Sequence, residues 1–102
     1  MTHQPVPHCK DEVGKRLRLL RAAMDNMAQK DFAELIDASS QKLANWEAGL
    51  HYISVDAAVK VCIKTSATFD YIFRGHEGEL SPTLRANLRK AKKFGDLTTL
   101  SA

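Results

Sequence analysis

The sequence of 102 residues is poor in the features that place a chain in a membrane, staple it covalently or give it a reaction to run. It holds no apolar run long enough to span a bilayer, and its opening, MTHQPVPHCKDE, lacks the apolar stretch of a secretory signal. Neither a membrane segment nor export is therefore expected. Its two cysteines, Cys9 and Cys62, make no convincing disulfide framework, which fits a reducing cytoplasm. Catalysis is not expected either, because there is no His-Asp-Ser set, no metal-ligand spacing and no glycine loop to cradle a phosphate. His3, His8 and Cys9 come nearest to a metal set, yet their spacing is irregular and no fourth ligand is near. The expectation is no metal and no cofactor.

What is present is the composition of a globular chain, 44% hydrophobic and 26% charged, with room for one domain and a tail. A net charge of +3 and a pI near 9.0 permit a polyanionic partner without requiring one. The distribution says more. Lys10, Lys15, Arg16, Arg18 and Arg21 crowd the first helical stretch, and Arg85, Arg89, Lys90, Lys92 and Lys93 crowd the last.

Residues 29–47, QKDFAELIDASSQKLANWE, read as two short helices joined by a tight turn. Phe32, Ala33, Leu35 and Ile36 share one side of the first, and Leu43 and Trp46 share one side of the second. Asp37 tolerates the left-handed backbone that a sharp reversal needs, and Ser39 is a good N-cap, so the second helix starts at Ser40. Its outward face is Ser40, Gln41, Ala44 and Asn45, with Lys42 on the flank. A side-chain amide offers a donor beside an acceptor and matches adenine N6 and N7, whereas a carboxylate would be repelled by phosphate. Small residues such as Ser40 and Ala44 let the backbone come close.

The pattern Gln29-x-x-Phe32-Ala33-x-x-Ile36-x-x-Ser39-x-x-x-Leu43-x-x-Trp46-Glu47-x-Gly49 resembles the helix-turn-helix of the Cro and phage-repressor (Xre-like) family, and the resemblance covers residues 11–75. It implies an all-α fold, a five-helix lambda-repressor-like bundle, to which this chain adds a C-terminal helix. It further implies a homodimer on double-stranded DNA in a bacterial or phage cytosol, associated with the nucleoid. Ser40, Gln41, Ala44 and Asn45 are then the base-reading set. Gln29, Lys30, Ser39, Lys42, Arg18, His51 and Tyr52 are the phosphate-binding set, and Tyr52 serves equally well as a packing residue. Arg21 and Glu47 are expected to form a structural salt bridge. The chain departs from the family at Ala28, where a Ser or Thr cap is usual, and after Gly49, where Leu50-His51-Tyr52 replaces basic residues and a proline.

The remaining segments follow from local signals. Residues 1–10, with Pro5 and Pro7 and no periodicity, read as a flexible arm. A first helix is expected over 11–24, buried through Val13, Leu17, Leu20 and Met24 and ended by Asp25-Asn26. A fourth, capped by Ser54, is expected to bury Val55, Ala58, Val59, Cys62 and Ile63. A fifth, capped by Thr68, is expected to close the bundle with Phe69, Ile72 and Phe73, ending at Gly75. In the family the region from the fourth helix into the fifth often forms the contact between subunits. Residues 76–80 read as a linker and residues 81–102 as a helix and tail. Ser81-Pro82 starts that helix, Leu80, Leu84 and Leu88 pack on the bundle or on a second subunit, and the end is expected near Phe94-Gly95.

The reading is a dimeric, sequence-specific transcriptional regulator, a repressor by preference, with half-sites about 34 Å apart. The alternative is an antitoxin whose tail from Ser81 onward is a protein-binding segment for a toxin while the helix-turn-helix autoregulates. A bridging factor that binds proteins without reading DNA ranks third, because the amide face would then have no task.

Overall fold

A computed structural model describes the backbone of residues 6–101 and the side chains of residues 6–93. The elements are α1 (Lys10–Ala23), α2 (Gln29–Leu35), α3 (Ser40–Glu47), α4 (Val55–Thr65), a π-helical turn (Asp70–Arg74) and α5 (Pro82–Ser101). No strand occurs among the described residues, so the fold is all-α.

α1 is the axle of the bundle. Val13, Leu17 and Leu20 recur at helical spacing and are 0–2% exposed, while Asp11 and Glu12 sit in the first turn, where the helix dipole favours acids. One flank of α1 packs on α3 and another on α5 and the π-helical turn. Asp25 and Asn26, both at positive φ (59° and 55°), end this run, as short polar side chains tolerate best. The core then gathers Phe32, Ile36, Leu43 and Trp46 from α2 and α3 with Val61, Ile72, Leu84 and Leu88 from the second half.

Four expectations need correction. In α4 the buried residues are Ala57, Ala58, Val61 and Thr65, whereas Val55, Val59 and Ile63 are 66%, 42% and 71% exposed. Four rows of period four run along this helix: Val55/Val59/Ile63, Ala57/Val61/Thr65, Ala58/Cys62 and the charged Asp56/Lys60/Lys64. The inward side combines the Ala57/Val61/Thr65 row with Ala58, and the hydroxyl on it is satisfied because Thr65 Oγ1 donates to the Val61 carbonyl at 2.7 Å.

In the next segment Tyr71 and Ile72 are buried and Phe69 is 41% exposed, its ring meeting Phe73 edge-on at 5.7 Å. A π-helical turn is wider than an α-helical one, and the changed winding brings position 71 rather than 69 inward. Thr68 still caps it, accepting from the Tyr71 N–H at 3.0 Å, and Gly75 (φ 77°) closes it.

α5 starts as expected, with Ser81 Oγ accepting from the Leu84 N–H at 3.1 Å, but runs through Gly95 to Ser101 instead of stopping near Phe94. A glycine inside a helix costs only about 1 kcal/mol relative to alanine, too little to stop one without a following left-handed cap. The side chains of the expected frayed tail, 96–102, lie outside the described residues.

Of the expected free arm, residues 1–5, His3 among them, also lie outside the described residues. Residues 6–9 are tied down: the Cys9 N–H reaches the Val6 carbonyl at 3.0 Å, and Arg16 Nη1 reaches the Pro7 carbonyl at 2.6 Å. No helix among the described residues is long and apolar enough to cross a membrane.

Candidate nucleic-acid interface

The reversal between α2 and α3 is made by four residues. Ile36 ends α2, Asp37 takes φ 55°, the Ala38 N–H returns to the Ala33 carbonyl at 2.8 Å, and Ser39 sits in the extended region. Ser39 Oγ then accepts from the Lys42 N–H at 3.1 Å, which satisfies one of the free amides of the new helix. At the other end Gly49 (φ 78°) lets the Leu50 N–H reach back to the Asn45 carbonyl at 2.9 Å. An eight-residue helix would fray in isolation, and both of its ends are closed here by local chemistry.

α3 is also fastened from beneath. Glu47, 3% exposed, accepts from Arg21 Nε at 2.8 Å, from Arg21 Nη2 at 2.9 Å and from Gln29 Nε2 at 2.9 Å. Arg21 Nη1 further donates to the Met27 carbonyl at 2.8 Å. One carboxylate therefore joins the end of α1, the loop after it, the start of α2 and the last turn of α3. A desolvated carboxylate is tolerable here because charge-assisted bonds take up its oxygens in the bidentate geometry that guanidinium provides.

Gly14 contributes something sequence reasoning overlooked. A Cβ at this position would lie 2.6 Å from the Trp46 carbonyl oxygen and 2.7 Å from that of Glu47, so the backbone of α1 crosses the C-terminal end of α3 in direct contact. The available signal was a lone glycine inside an otherwise regular helical pattern.

The outer face of α3 carries Ser40, Gln41 and Lys42 exposed, with Ala44 and Asn45 half-buried. Gln41 Nε2 donates to Asn45 Oδ1 at 3.1 Å. This bond, one helical turn apart, holds the two amides side by side and leaves the Gln41 oxygen and the Asn45 amide hydrogens for another partner. Beside it runs a cleft of about 440 Å³ between α3 and α4, lined by Ser39, Lys42, Asn45, His51 and Tyr52. Asp37, Asp56 and Lys60 line it too, the Lys60–Asp37 pair spanning it at 3.2 Å. Lys10 stands 5.9 Å from the centre of the Tyr52 ring, which is turned to solvent rather than into the core.

The expected site residues thus divide. Ser39, Lys42, Asn45, His51 and Tyr52 share one cleft, with Ser40 and Gln41 on the adjoining face of α3. Gln29 has its amide nitrogen on Glu47, so its expected phosphate contact narrows to the backbone N–H and the remaining amide hydrogen. Lys30 is exposed at the start of α2, where Ala28 supplies no side-chain cap. Arg18 lies apart, on a separate cleft of about 310 Å³ with Lys15, Glu47 and Ala48.

Comparison with known proteins gives no guide: no protein-family model matches the chain, and no curated protein and no solved structure matches it.

Proposed function

We propose that the protein is a sequence-specific DNA-binding transcriptional regulator, a repressor, that lays α3 in the major groove through a lambda-repressor-like helix-turn-helix formed by α2 and α3. The observation that carries this reading is the Gln41–Asn45 amide pair, turned outward on a helix whose other side is locked to α1 and α2 through Glu47. Groove reading needs amides held at a fixed pitch without carboxylates among them, and that is what the outer face of α3 offers. Lys42, His51 and Tyr52 along the adjoining cleft are suited to phosphate oxygens.

Binding as a homodimer in the cytosol belongs to the same proposal. Val55, Val59 and Ile63 form an exposed stripe at equal spacing, so a two-fold axis at Val59 would lay Val55 against Ile63 of a second copy. Among the described residues no observation favours the antitoxin alternative: Leu84 and Leu88, in the segment that would bind a toxin, are buried in the protein's own core.

Selection of bound sites from random duplexes, followed by binding measurements at several salt concentrations, tests the proposal. A DNA-binding protein gives affinity that falls linearly with salt on logarithmic axes. Gln41→Ala or Asn45→Ala should weaken the selected site by about 1 to 3 kcal/mol while leaving binding to random duplex nearly unchanged. Equal loss on both kinds of DNA, or no loss on either, overturns the base-reading assignment.

A further inference from the structure

A further cleft lies away from α3. It measures about 560 Å³ and opens between α1, the π-helical turn and α5. That volume is within the range of pockets that hold small molecules, about 300 to 1,000 Å³. Its floor is apolar, made by Leu19, Leu88 and the ring of Tyr71, and its rim carries Lys15, Arg16, Arg89 and Lys92 against Glu12 and Glu77. Glu12 is already matched by Lys15 at 3.0 Å, so the remaining charge around the cleft is dominated by cations.

Arg16 is the fixed member of this set. Its Nη1 donates to the carbonyls of Ile72 at 3.0 Å and Pro7 at 2.6 Å, which holds the guanidinium in place. Its Nε and Nη2 turn toward Gly75, where an added Cβ would stand 3.2 Å and 2.9 Å away. Glycine there, at φ 77°, closes the π-helical turn and also keeps the second edge of the guanidinium clear. Tyr71 lies beneath, its ring buried and its hydroxyl bonded to no described residue. A guanidinium edge, a hydroxyl donor and two long basic side chains on α5 converge on a concave surface with an apolar base.

Double-helical DNA is a convex partner and suits this recess poorly. The cleft also uses the flank of α1 bearing Glu12, Arg16 and Leu19, whereas Gly14 and Arg21 on another flank meet α3. We propose that the cleft is a binding site for a small organic dianion, a phosphate monoester or a dicarboxylate carried on a compact apolar body. The anionic group docks on Arg16, Arg89 and Lys92 with Tyr71 donating, and the apolar body covers Leu19 and Leu88. Bidentate, charge-assisted contacts to a guanidinium held from behind are the strongest that such a site provides.

The test is an NMR titration of the full chain with phenyl phosphate, with phthalate as the dicarboxylate arm and benzyl alcohol as a neutral control. Either anion should move the amide signals of Leu19, Tyr71 and Gly75 along one saturating curve, and the alcohol should not. The double variant Arg89→Gln with Lys92→Gln, both exposed, should raise Kd by about tenfold or more, while Lys64→Gln, which removes one exposed charge on α4, leaves it within about twofold. Tyr71→Phe should weaken binding while the amide signals of α2 and α3 stay in place. The proposal is overturned if the three amides show no saturable shift, or if Lys64→Gln weakens binding as much as the double variant. It is also overturned if random duplex DNA shifts the same three amides and the double variant lowers the salt slope of duplex binding by about 2, which would make this face a phosphate contact.

Discussion

The outer faces of α3 and α4 make an instructive pair. Each helix begins at a serine whose hydroxyl accepts from the amide three residues on, Ser39 from Lys42 at 3.1 Å and Ser54 from Ala57 at 3.2 Å. Each buries its other side in the same core. Outward, α3 shows Ser40, Gln41, Lys42 and Asn45, whereas α4 shows the apolar stripe Val55, Val59 and Ile63 beside the charged Asp56 and Lys64, with Cys62 half-buried. Water satisfies the first surface, and a groove edge can replace that water one hydrogen bond at a time. Water is a poor partner for the second, where covering apolar area gains about 25 cal/mol per Å². One face is suited to exchange partners selectively and the other to stay covered, a division that matches the proposed reading helix and subunit contact.

The largest effect expected comes from removing what holds the first face in position. Glu47→Ala leaves the Arg21 guanidinium and the Gln29 amide without their acceptor. Breaking a buried pair on one side costs about 3 to 5 kcal/mol, and the lower figure fits here because the Arg21 side chain keeps 23% of its exposure. The midpoint of urea unfolding measures it. A double-mutant cycle with Arg21→Ala should return a clear coupling, and if the two substitutions simply add, α3 is held by packing alone and the contrast with α4 loses its structural basis.

The second face is broken by charge. Ile63→Asp, at a position 71% exposed, should lower self-association at least about a hundredfold while shifting monomer stability by less than about 1 kcal/mol. Sedimentation over a range of concentrations reads the first quantity and chemical denaturation the second. A parent protein that stays monomeric throughout removes the subunit-contact assignment. Cys62 gives an independent reading, since burial pushes its thiol up from the ordinary cysteine range. Its thiolate fraction therefore stays low at neutral pH and grows only as pH rises toward that raised value. Alkylation at Cys62 should be slow, should accelerate later in pH than for a small-molecule thiol, and should slow further as protein concentration rises.

How much of this is legible in the sequence depends on how local the deciding physics is. The left-handed Asp37, the Ser39 cap, the start at Ser40 and the closing Gly49 are set within a few residues, so sequence alone located them. The Arg21–Glu47 pair, 26 positions apart, was available only through resemblance to a family pattern, and the third ligand of Glu47, Gln29, was assigned to phosphate instead. α4 failed for a different reason. Its segment VDAAVKVCIKT is apolar around most of its circumference, so periodicity offers two acceptable inward rows and does not choose. The choice is made by the bundle as a whole, which covers Ala57, Ala58 and Val61 and leaves Val59 and Ile63 outside. Tyr71 was missed similarly, because an α-helical wheel puts the wrong residues inside a π-helical turn. The α1/α5 cleft depends on residues 12–92 coming together and left no trace in any single stretch.

The smallest effect sharpens the comparison most, because it treats both helices alike. Ser39→Ala and Ser54→Ala each remove one side-chain acceptor from a first turn and should each cost about 1 kcal/mol of stability. Their consequences for DNA should differ. α3 is eight residues long, and Gln41, the second of them, lies in the turn that Ser39 closes. Fraying there releases the amide from its 3.1 Å contact with Asn45, so the selected site should weaken beyond what the stability loss explains. α4 is eleven residues long and its first turn offers no base-reading side chain, only Ser54 and Asp56 at the edge of the adjoining cleft, so Ser54→Ala should lower affinity far less than Ser39→Ala at temperatures where both variants are folded. Parallel urea melts and mobility shifts on the selected duplex decide the matter. If the two alanines reduce DNA affinity equally, the loss reflects overall stability, and α3 has no more specific part in binding than α4.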